Sequence, residues 1–440
     1  MRKKTLLPAL ILLTAILGGC AMQTVEQMYC PPRRSEELSN LQSAIDREMS
    51  GLEYAAPVSG ENQQTVQMAD LDGDGKDEYL VFAKGVSEKP MKILIFRQEQ
   101  DDSCSLMETV ELSGTSFEQV EYVDMDGSPG QEIVVGVQLS DRMLRIGSVY
   151  SFASGQADCI HSIVYARMLT CDMNGDDRME LMVIRSGETE ADNAVAMLFQ
   201  WRDGIMERSK EVKLSEKADH IKRVTTGLLE DGKAAVYVAS TVNESAIVTD
   251  ILTVGQGTFY NLSLYGESGA SVQTLRDYYI YAEDIDEDGV LELPSLLPMK
   301  SVSAVSGTVK QHLIRWYSVD QKGSRRDKYY SFHNYTGGWY LELDSSWISR
   351  IAMEQDENTY TFYMWDEELG EAQPLFSIYS LTGKDRDSEA GTGNRFALYR
   401  GENVVYAAKL ESPSALYGIT EEYLTKRFHL IRRDWIAGET

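Results

Sequence analysis

The stretch "ADLDGDGKDEYLVF" (69–82) places five acidic residues within nine positions, directly before a run of apolar residues. Two like charges about 4 Å apart near a protein surface repel each other by about 4 kcal/mol. The stretch is therefore either a solvated loop whose charges spread apart, or a loop built around a cation. The acids are Asp70, Asp72, Asp74, Asp77 and Glu78.

The same pattern returns along the chain as "VDMDGSPGQEIVVG" (123–136), "CDMNGDDRMELMVI" (171–184) and "EDIDEDGVLELPSL" (283–296). The leading aspartates are separated by 54, 48 and 112 positions, and the last interval is about twice the others. The stretch "TGLLEDGKAAVYVAS" (226–240) fills the gap, with a turn and a strand pattern but without the acids. Five copies with a period of about fifty residues, each followed by strands, predict propeller blades.

Within each acidic copy, oxygen-bearing side chains fall at positions 1, 3, 5 and 9, counted from the first aspartate. A hard cation such as Ca²⁺ takes about six to eight oxygen ligands, so these four side chains, a backbone carbonyl at position 7 and water form a suitable set. The candidate side-chain ligands are Asp70, Asp72, Asp74 and Glu78; Asp124, Asp126, Ser128 and Glu132; Asp172, Asn174, Asp176 and Glu180; and Asp284, Asp286, Asp288 and Glu292. The candidate carbonyls belong to Lys76, Gly130, Arg178 and Val290.

An EF-hand does not fit these loops, because it needs a bidentate Glu at position 12 and a helix on each side. Position 12 is occupied by Val81, Val135, Val183 and Ser295. Short apolar runs follow each loop and indicate buried strands.

The pattern resembles the FG-GAP/VCBS-type repeat of integrin-alpha-like β-propellers, in which an Asp-x-Asp-x-Asp-Gly-x-x-Asp loop joins the first two strands of a blade and binds Ca²⁺. This resemblance, over roughly residues 60–340, implies an all-β propeller of about six or seven four-stranded blades with several structural Ca²⁺ ions. Position 9 is Glu in every acidic copy, and Ser128 leaves the second copy with fewer charges, which implies weaker affinity there. Acidic turns without a metal are the alternative.

The first copies predict four strands per blade, at 63–69, 78–84, 91–97 and 104–112, and then at 117–123, 132–139, 146–152 and 159–165. Cys104 and Cys159 fall at matching points of the two copies, which favours equivalent strand positions. No zinc spacing or disulfide pairing is assigned to these two or to Cys30 and Cys171.

The N-terminus "MRKKTLLPALILLTAILGGCAM" (1–22) has basic residues, an apolar run and small residues before Cys20. This order predicts a signal peptide over 1–19, and Leu-Gly-Gly-Cys resembles the lipobox of bacterial lipoproteins. We therefore expect a chain attached by lipid on Cys20 to the cell membrane, facing outside the cytoplasm. Without residues 1–19, the chain has 39 basic and 69 acidic residues and a net charge of −30, which excludes nucleic acid as a partner.

The flanking segments are less regular than the repeats. Residues 20–60 read as a linker and an amphipathic helix over 35–52, residues 61–345 as the propeller repeats, and 346–440 as metal-free blades or a small α+β module, with a helix over 420–435 that starts at Thr420. The aromatic-rich segment 315–343 suits either strand cores or a carbohydrate- or protein-binding surface.

Catalytic motifs such as HExxH, GxSxG, a P-loop or GxGxxG are not found in the sequence. We therefore predict a non-enzymatic module that binds an extracytoplasmic protein or glycan. The alternatives are an envelope assembly scaffold and an extracytoplasmic polysaccharide lyase or hydrolase, since carboxylate pairs for glycoside cleavage are defined by geometry rather than by sequence distance.

Overall fold

The computed structural model describes residues 36–101, 103–140, 144–243, 246–264, 274–277, 280–300, 302, 311–366 and 370–431. The predicted signal peptide, Cys20, Cys30 and most of the linker lie outside the described residues. Among the described residues, no helix has the length and apolar character needed to cross a membrane.

Six antiparallel sheets follow one another along the described chain, and all but the fifth are built only from strands that are close in sequence. The first sheet contains β1 (Glu53–Tyr54), β2 (Val66–Ala69), β3 (Glu78–Lys84), β4 (Met91–Gln98) and β5 (Cys104–Leu112). The second contains β6 (Ser116–Val123), β7 (Glu132–Gln138), β8 (Arg145–Ser151) and β9 (Asp158–Tyr165). The third contains β10 (Arg167–Cys171), β11 (Glu180–Arg185), β12 (Val195–Arg202), β13 (Ile205–Arg208) and β14 (Val212–Lys213).

The strands of the fourth sheet and the first four strands of the fifth pair in chain order, whereas in the sixth sheet the third strand pairs with the fifth and the fourth lies at the edge. The fourth sheet contains β15 (Ile221–Leu228), β16 (Ala234–Thr241), β17 (Ile247–Gly255) and β18 (Thr258–Asn261). The fifth contains β19 (Leu293–Pro298), β20 (His312–Val319), β21 (Arg325–Asn334) and β22 (Trp339–Glu342), and the sixth contains β23 (Ile351–Asp356), β24 (Thr359–Asp366), β25 (Glu371–Thr382), β26 (Arg395–Arg400) and β27 (Val404–Leu410). The helices are α1 (Glu36–Glu48), α2 (Arg386–Glu389) and α3 (Glu421–Arg427), with 3₁₀ turns at Ala218–His220, Ser345–Trp347 and Ser412–Tyr417.

Each sheet packs on the next one through both faces of its central strands. In β7, Ile133 and Val135 face the first sheet, whereas Val134 faces the third. Burial on both faces explains why these strands read as continuous apolar runs rather than as alternating ones. Phe82 of the first sheet and Phe117 of the second meet edge to face, with ring centroids 5.0 Å apart.

The predicted N-terminal helix is present as α1 and covers the outer face of the first sheet. Leu41, Ala44 and Ile45 are buried in one cluster with Val81 and Phe96. A closed propeller would use this face to join the first blade to the last. The predicted all-β fold of several antiparallel sheets is confirmed. No hydrophobic cluster among the described residues links the sixth sheet to the first. Closure of the ring and the number of blades therefore stay predictions.

The C-terminal helix is shorter than the sequence pattern predicts. Thr420 caps it, with the Thr420 hydroxyl accepting a hydrogen bond from the backbone N–H of Tyr423 at 3.1 Å. The helix ends at Arg427, because Phe428–Leu430 forms a further strand, β28, that pairs with β22 and stacks Phe428 on Trp339 at 5.5 Å. The predicted extension to residue 435 is therefore wrong as far as residue 430, and residues 432–435 lie outside the described part.

The aromatic-rich segment belongs mainly to the core of the fifth sheet. Trp316 and Trp339 are fully buried, and Tyr317 and Tyr340 are nearly so. The described cysteines Cys104, Cys159 and Cys171 form no disulfide, and Cys104 begins β5 while Cys159 is the second residue of β9.

Candidate metal centres

The first aspartate of each acidic loop holds the loop in a tight turn. Asp70 accepts hydrogen bonds from the backbone N–H groups of Gly73 at 2.8 Å and Gly75 at 2.9 Å. The loop of Asp172 repeats this arrangement with donors at the same positions, 4 and 6, whereas Asp284 accepts from the N–H groups at positions 5 and 6. Successive N–H groups that point at one carboxylate fix its position, so the loop is organised by its own backbone.

The glutamate at position 9 is the most uniform element of the four loops. Glu78, Glu132, Glu180 and Glu292 each open the second strand of a hairpin or lie directly before it, and each is almost completely buried. In every copy one carboxylate oxygen accepts a hydrogen bond from the backbone N–H at position 2, at distances of 3.0, 2.8, 2.7 and 3.1 Å. This bond leaves the second oxygen to face the loop.

The second oxygen of Glu292 differs from those of Glu78 and Glu180, which accept hydrogen bonds from Arg97 and Asn174. Glu292 Oε1 is buried and has no hydrogen-bond partner among the described residues. Leaving a buried carboxylate oxygen without a partner is costly, so this oxygen is suited to bind a cation. A cation between this oxygen and the loop aspartates would satisfy it.

Three of the four loops gather carboxylates closely enough to hold a metal ion. In each, the ligand atoms of three acids all lie within 4.8 Å of one another. Oxygens that share one Ca²⁺ at about 2.3–2.6 Å cannot be much farther apart than this, so the spacing suits such an ion. The three groups are Asp70, Asp72 and Glu78; Asp124, Asp126 and Glu132; and Asp284, Asp286 and Glu292.

The third loop is arranged differently. Asn174 replaces the central aspartate and donates a hydrogen bond to Glu180, while Asp176 pairs with Arg178 at 2.7 Å. Asp172, Asn174, Asp176 and Glu180 therefore share a loop but do not form a group of three clustered acids. The fourth copy has no acidic group at this place, because Leu228 stands at position 1 and Glu230 bonds instead to Ser318 and Lys328.

Basic side chains from later strands of the same sheets reach the acids of two loops, which the local sequence pattern could not indicate. Arg97 of β4 binds Asp72 and Glu78, and Lys328 of β21 binds Asp288 at 2.9 Å. No ion pair among the described residues involves Asp124, Asp126 or Glu132. The second loop, for which Ser128 implies the weakest affinity, is thus the one whose acids form no ion pair, although Arg178 of the third loop lies near enough to Asp124 for their charges to interact.

Burial and neighbouring carboxylates raise the pKa of the glutamates at position 9. The pKa rises to about 6 for Glu132 and to about 7 for Glu180 and Glu292, with burial as the larger cause in each case. The pKa of Glu78 is raised as well. A carboxylate that is hard to ionise alone is stabilised by a divalent cation, so proton and metal binding compete at these residues.

The predicted backbone ligands lie where each loop turns into the next strand. The N–H groups of Lys76, Arg178 and Val290 each donate to the carboxylate at position 5, at 2.8, 3.0 and 2.9 Å. Gly130 is packed against the first loop, where an added Cβ would lie 2.2 Å from the Leu71 carbonyl oxygen. Coordination by the carbonyl groups of these residues stays a prediction.

Consecutive loops are joined to one another by backbone hydrogen bonds. The N–H at position 8 of one loop donates to the carbonyl at position 1 of the loop before it, as in Gln131 to Asp70 at 2.9 Å and Met179 to Asp124 at 2.8 Å. Leu291 bonds to Leu228 in the same way at 3.1 Å, although the fourth copy has no aspartate at position 1. The loops of the first three sheets therefore form a continuous row, and those of the fourth and fifth sheets form another pair.

A polar cleft of about 360 Å³ lies beside the second and third loops. Its walls include Asp126 of the second loop, Glu180 of the third, and Trp201 and Arg202 at the end of β12. No local sequence pattern indicates this cleft, because it is formed by residues from two loops, from the end of β12 and from the turn that follows it.

Comparison with known proteins gives structural matches only. No family profile and no curated protein matches the chain. Among solved structures, a protein of Bacteroides fragilis NCTC 9343, provisionally described as a 6-phosphogluconolactonase, is 10% identical over 73% of this chain and 92% of its own, with a TM-score of 0.26. The rhamnogalacturonan lyase YesW is 12% identical over 74% of this chain and 64% of its own, with a TM-score of 0.28.

These matches correct one prediction from the sequence. Both proteins are enzymes by their descriptions, which contradicts the expectation of a non-enzymatic module. At such low identities and TM-scores, they identify no reaction and no substrate for this chain.

Proposed function

We propose that this chain is a calcium-binding β-propeller protein of the cell envelope, attached to a membrane by lipid on Cys20, that binds a protein or glycan outside the cytoplasm. The observation that carries the calcium assignment is the set of three carboxylate groups, each completed by a buried glutamate. Hard oxygen ligands in solvent-accessible loops suit Ca²⁺ better than metals that prefer nitrogen or sulfur. The ions would tie the first hairpin of a sheet together and neutralise charges that otherwise repel.

Thermal unfolding in Ca²⁺ and in chelator tests the calcium assignment. With Kd values of about 10⁻⁴–10⁻³ M, millimolar Ca²⁺ adds about 0.5–1.5 kcal/mol of stability per occupied site. We expect Asp126→Asn and Asp286→Asn each to remove part of this gain. The matched control is Asp231→Asn, which changes an acid in the degenerate fourth loop. Equal melting temperatures in Ca²⁺ and chelator, together with no Ca²⁺ retained on equilibrium dialysis, would refute the assignment.

The membrane attachment has a separate test, because it depends on residues 1–20 alone. We expect the full chain to incorporate labelled fatty acid and to sediment with membranes, and Cys20→Ser to do neither. Labelling of the variant at the level of the unchanged chain would contradict lipidation at Cys20.

A second candidate function is cleavage of an extracytoplasmic polysaccharide. The specific observation that favours it is the polar cleft, in which Asp126, Asp176 and Glu180 face the same space as two arginines. Carboxylic acids on opposite sides of a sugar are what glycoside cleavage requires. Release of new reducing ends from cell-envelope polysaccharide, lost in Glu180→Gln, would support this function, and complete inertness would count against it.

A further inference from the structure

The polar cleft between the second and third loops has the size of a small-molecule site, and its walls are mainly polar. Its volume of about 360 Å³ falls within the range of about 300–1,000 Å³ that ligand pockets occupy. Trp201, which is partly exposed, contributes an aromatic surface, and Gln200 and Arg202 contribute amide and guanidinium groups.

The walls of the cleft are held in place by backbone contacts. Met179 of the third loop donates to the carbonyl of Asp124 in the second loop at 2.8 Å. The turn after β12 is made by Asp203 and Gly204, both with positive φ values, of 50° and 84°. This two-residue Asp-Gly turn is the tight hairpin type, so it fixes where Trp201 and Arg202 lie.

The charge of the cleft selects among possible ligands. Four carboxylates and only two guanidinium groups line it, within a chain whose net charge is −27. Phosphorylated or polyanionic ligands are therefore disfavoured. A neutral molecule with many hydroxyl donors suits the carboxylate and amide acceptors, and its apolar C–H face suits the indole ring. These are the properties of a saccharide.

Asp126 connects this cleft to the second metal group, because it belongs to both. The three acids of that group leave several of the six to eight positions of a Ca²⁺ ion to other oxygens. In the first and fifth loops Arg97 and Lys328 pair with the loop acids, but no ion pair among the described residues reaches the acids of the second group. An ion in the second loop is thus the one placed to accept ligand oxygens from the cleft.

We infer that this cleft binds a neutral saccharide, with two adjacent hydroxyl groups coordinating Ca²⁺ in the second loop and one sugar face packed on Trp201. The inference rests on the proposed calcium site and adds to it a ligand class and a binding geometry. Gln200, Arg178 and Arg202 would donate hydrogen bonds to the remaining sugar oxygens.

Calorimetric titration with three defined hexasaccharides tests the inference. Cellohexaose and maltohexaose carry adjacent hydroxyls at C2 and C3 of every unit, whereas in chitohexaose an acetamido group replaces the C2 hydroxyl and only the non-reducing end unit keeps an adjacent pair, at C3 and C4. We expect cellohexaose or maltohexaose to bind in Ca²⁺ and to lose at least about tenfold in affinity in chelator, and chitohexaose to bind at least about tenfold more weakly.

Matched variants separate the two contacts. Trp201→Ala should weaken saccharide binding about tenfold, whereas Trp365→Ala, which removes a partly exposed tryptophan from the sixth sheet, should leave it unchanged. Asp126→Asn should weaken saccharide binding in Ca²⁺ to the level that the unchanged chain shows in chelator. Asp286→Asn, the same change in the fifth loop, should leave saccharide binding in Ca²⁺ unchanged. Arg202→Ala is a second cleft variant at an exposed position, useful if Trp201→Ala folds poorly.

The outcomes distinguish this inference from the proposed function. Ca²⁺ binding without binding of any of the three hexasaccharides would overturn the inference and leave the calcium assignment standing. Saccharide binding that persists in chelator and in Asp126→Asn would overturn the metal-bridged geometry. Failure of the chain to bind Ca²⁺ at all would refute the proposed function and the inference together.

Discussion

At the scale of single residues, the loops depend on a glutamate that is placed at the start of a buried strand. A backbone N–H holds one of its oxygens and the loop aspartates crowd the other, so the ionised form is disfavoured unless a cation is near. Charge and burial thus oppose each other at one side chain. This opposition makes the metal-free protein sensitive to pH.

Glu132 makes the metal-free protein less stable as the pH rises. Its pKa is raised from 4.5 to about 6 by burial and by the nearby aspartates, so its protonated form favours the folded state. This contribution is fully present below pH 4.5 and is lost as the pH rises through about 6, and its size is about 2 kcal/mol. We measure the unfolding free energy of the metal-free protein by denaturant from pH 4 to pH 8. Between these two pH values, we expect the unfolding free energy of Glu132→Gln to fall by about 2 kcal/mol less than that of the unchanged protein.

The control for this measurement is Glu190→Gln, at an exposed position outside the loops. It should follow the unchanged protein at every pH. A pH profile of Glu132→Gln that is parallel to that of the unchanged protein would show that Glu132 does not titrate with folding.

Gly73 and Gly75 provide a matched pair of substitutions in the first loop. Both have positive φ, of 74° and 85°, but an added Cβ at Gly73 would lie 2.4 Å from Pro129 Cβ, whereas at Gly75 nothing lies within 4 Å. We expect Gly75→Ala to cost about 1 kcal/mol through its backbone conformation alone. Gly73→Ala should cost clearly more, about 2–4 kcal/mol, because the second loop must also move.

Denaturant unfolding of the two variants in Ca²⁺ measures this difference. Equal losses of stability would mean that the first and second loops are not in contact at this point. A larger loss in Gly75→Ala would contradict the described geometry of the turn.

At the scale of secondary structure, α1 shows how an amphipathic pattern becomes a packed element. Leu41 and Ile45 lie one turn apart and enter a cluster with Val81 and Phe96 of the first sheet, whereas Leu38 is about half exposed. Leu41→Ala and Ile45→Ala should each cost about 2–4 kcal/mol of unfolding free energy, since a buried aliphatic side chain is replaced by a cavity. Leu38→Ala is the matched control and should change stability by less than about 0.5 kcal/mol.

Thermal or denaturant unfolding, with the same probe for all three variants, tests this prediction. Similar small effects for Leu41 and Ile45 would show that the helix does not contribute to the stability of the first sheet. In that case α1 would be available to a partner molecule instead.

The strands and loops of the repeats could be predicted from the sequence because their signals are local. The strands at 78–84 and 104–112 have the predicted bounds, since a turn residue and a change of periodicity mark both ends. The early end of α3 could not be predicted, because Phe428 leaves the helix to pair with a strand almost ninety positions earlier. Arg97 and Lys328 could not be placed in the loops for the same reason, as they reach the acids from strands 25 and 40 positions away.

At the scale of the whole molecule, the core is a series of separate clusters rather than one continuous interior. Each cluster joins one sheet to the next. Each sheet is therefore stabilised mainly by its interfaces with the neighbouring sheets, as in repeat proteins. The metal groups lie in the loops of the first, second and fifth sheets. Effects of metal removal should therefore be local and unequal along the chain.

Hydrogen exchange with and without Ca²⁺ tests this prediction. We expect chelator to increase exchange in β2–β3, in β6–β7 and around residues 280–293, and to leave β23–β27 almost unchanged. A uniform change along the chain would indicate that the sheets unfold as one unit. A change confined to the sixth sheet would contradict the assignment of metal to the acidic loops.

The hydrogen bond from position 8 of one loop to position 1 of the loop before it has a consequence for how such a chain can change over generations. The bond uses backbone atoms only, and Leu291 makes it to Leu228 although the fourth copy has no aspartate at position 1. The metal-binding acids of a repeat are therefore not needed for its bond to the repeat that follows. A lineage can lose ions from individual repeats, one at a time, and inherit the same architecture.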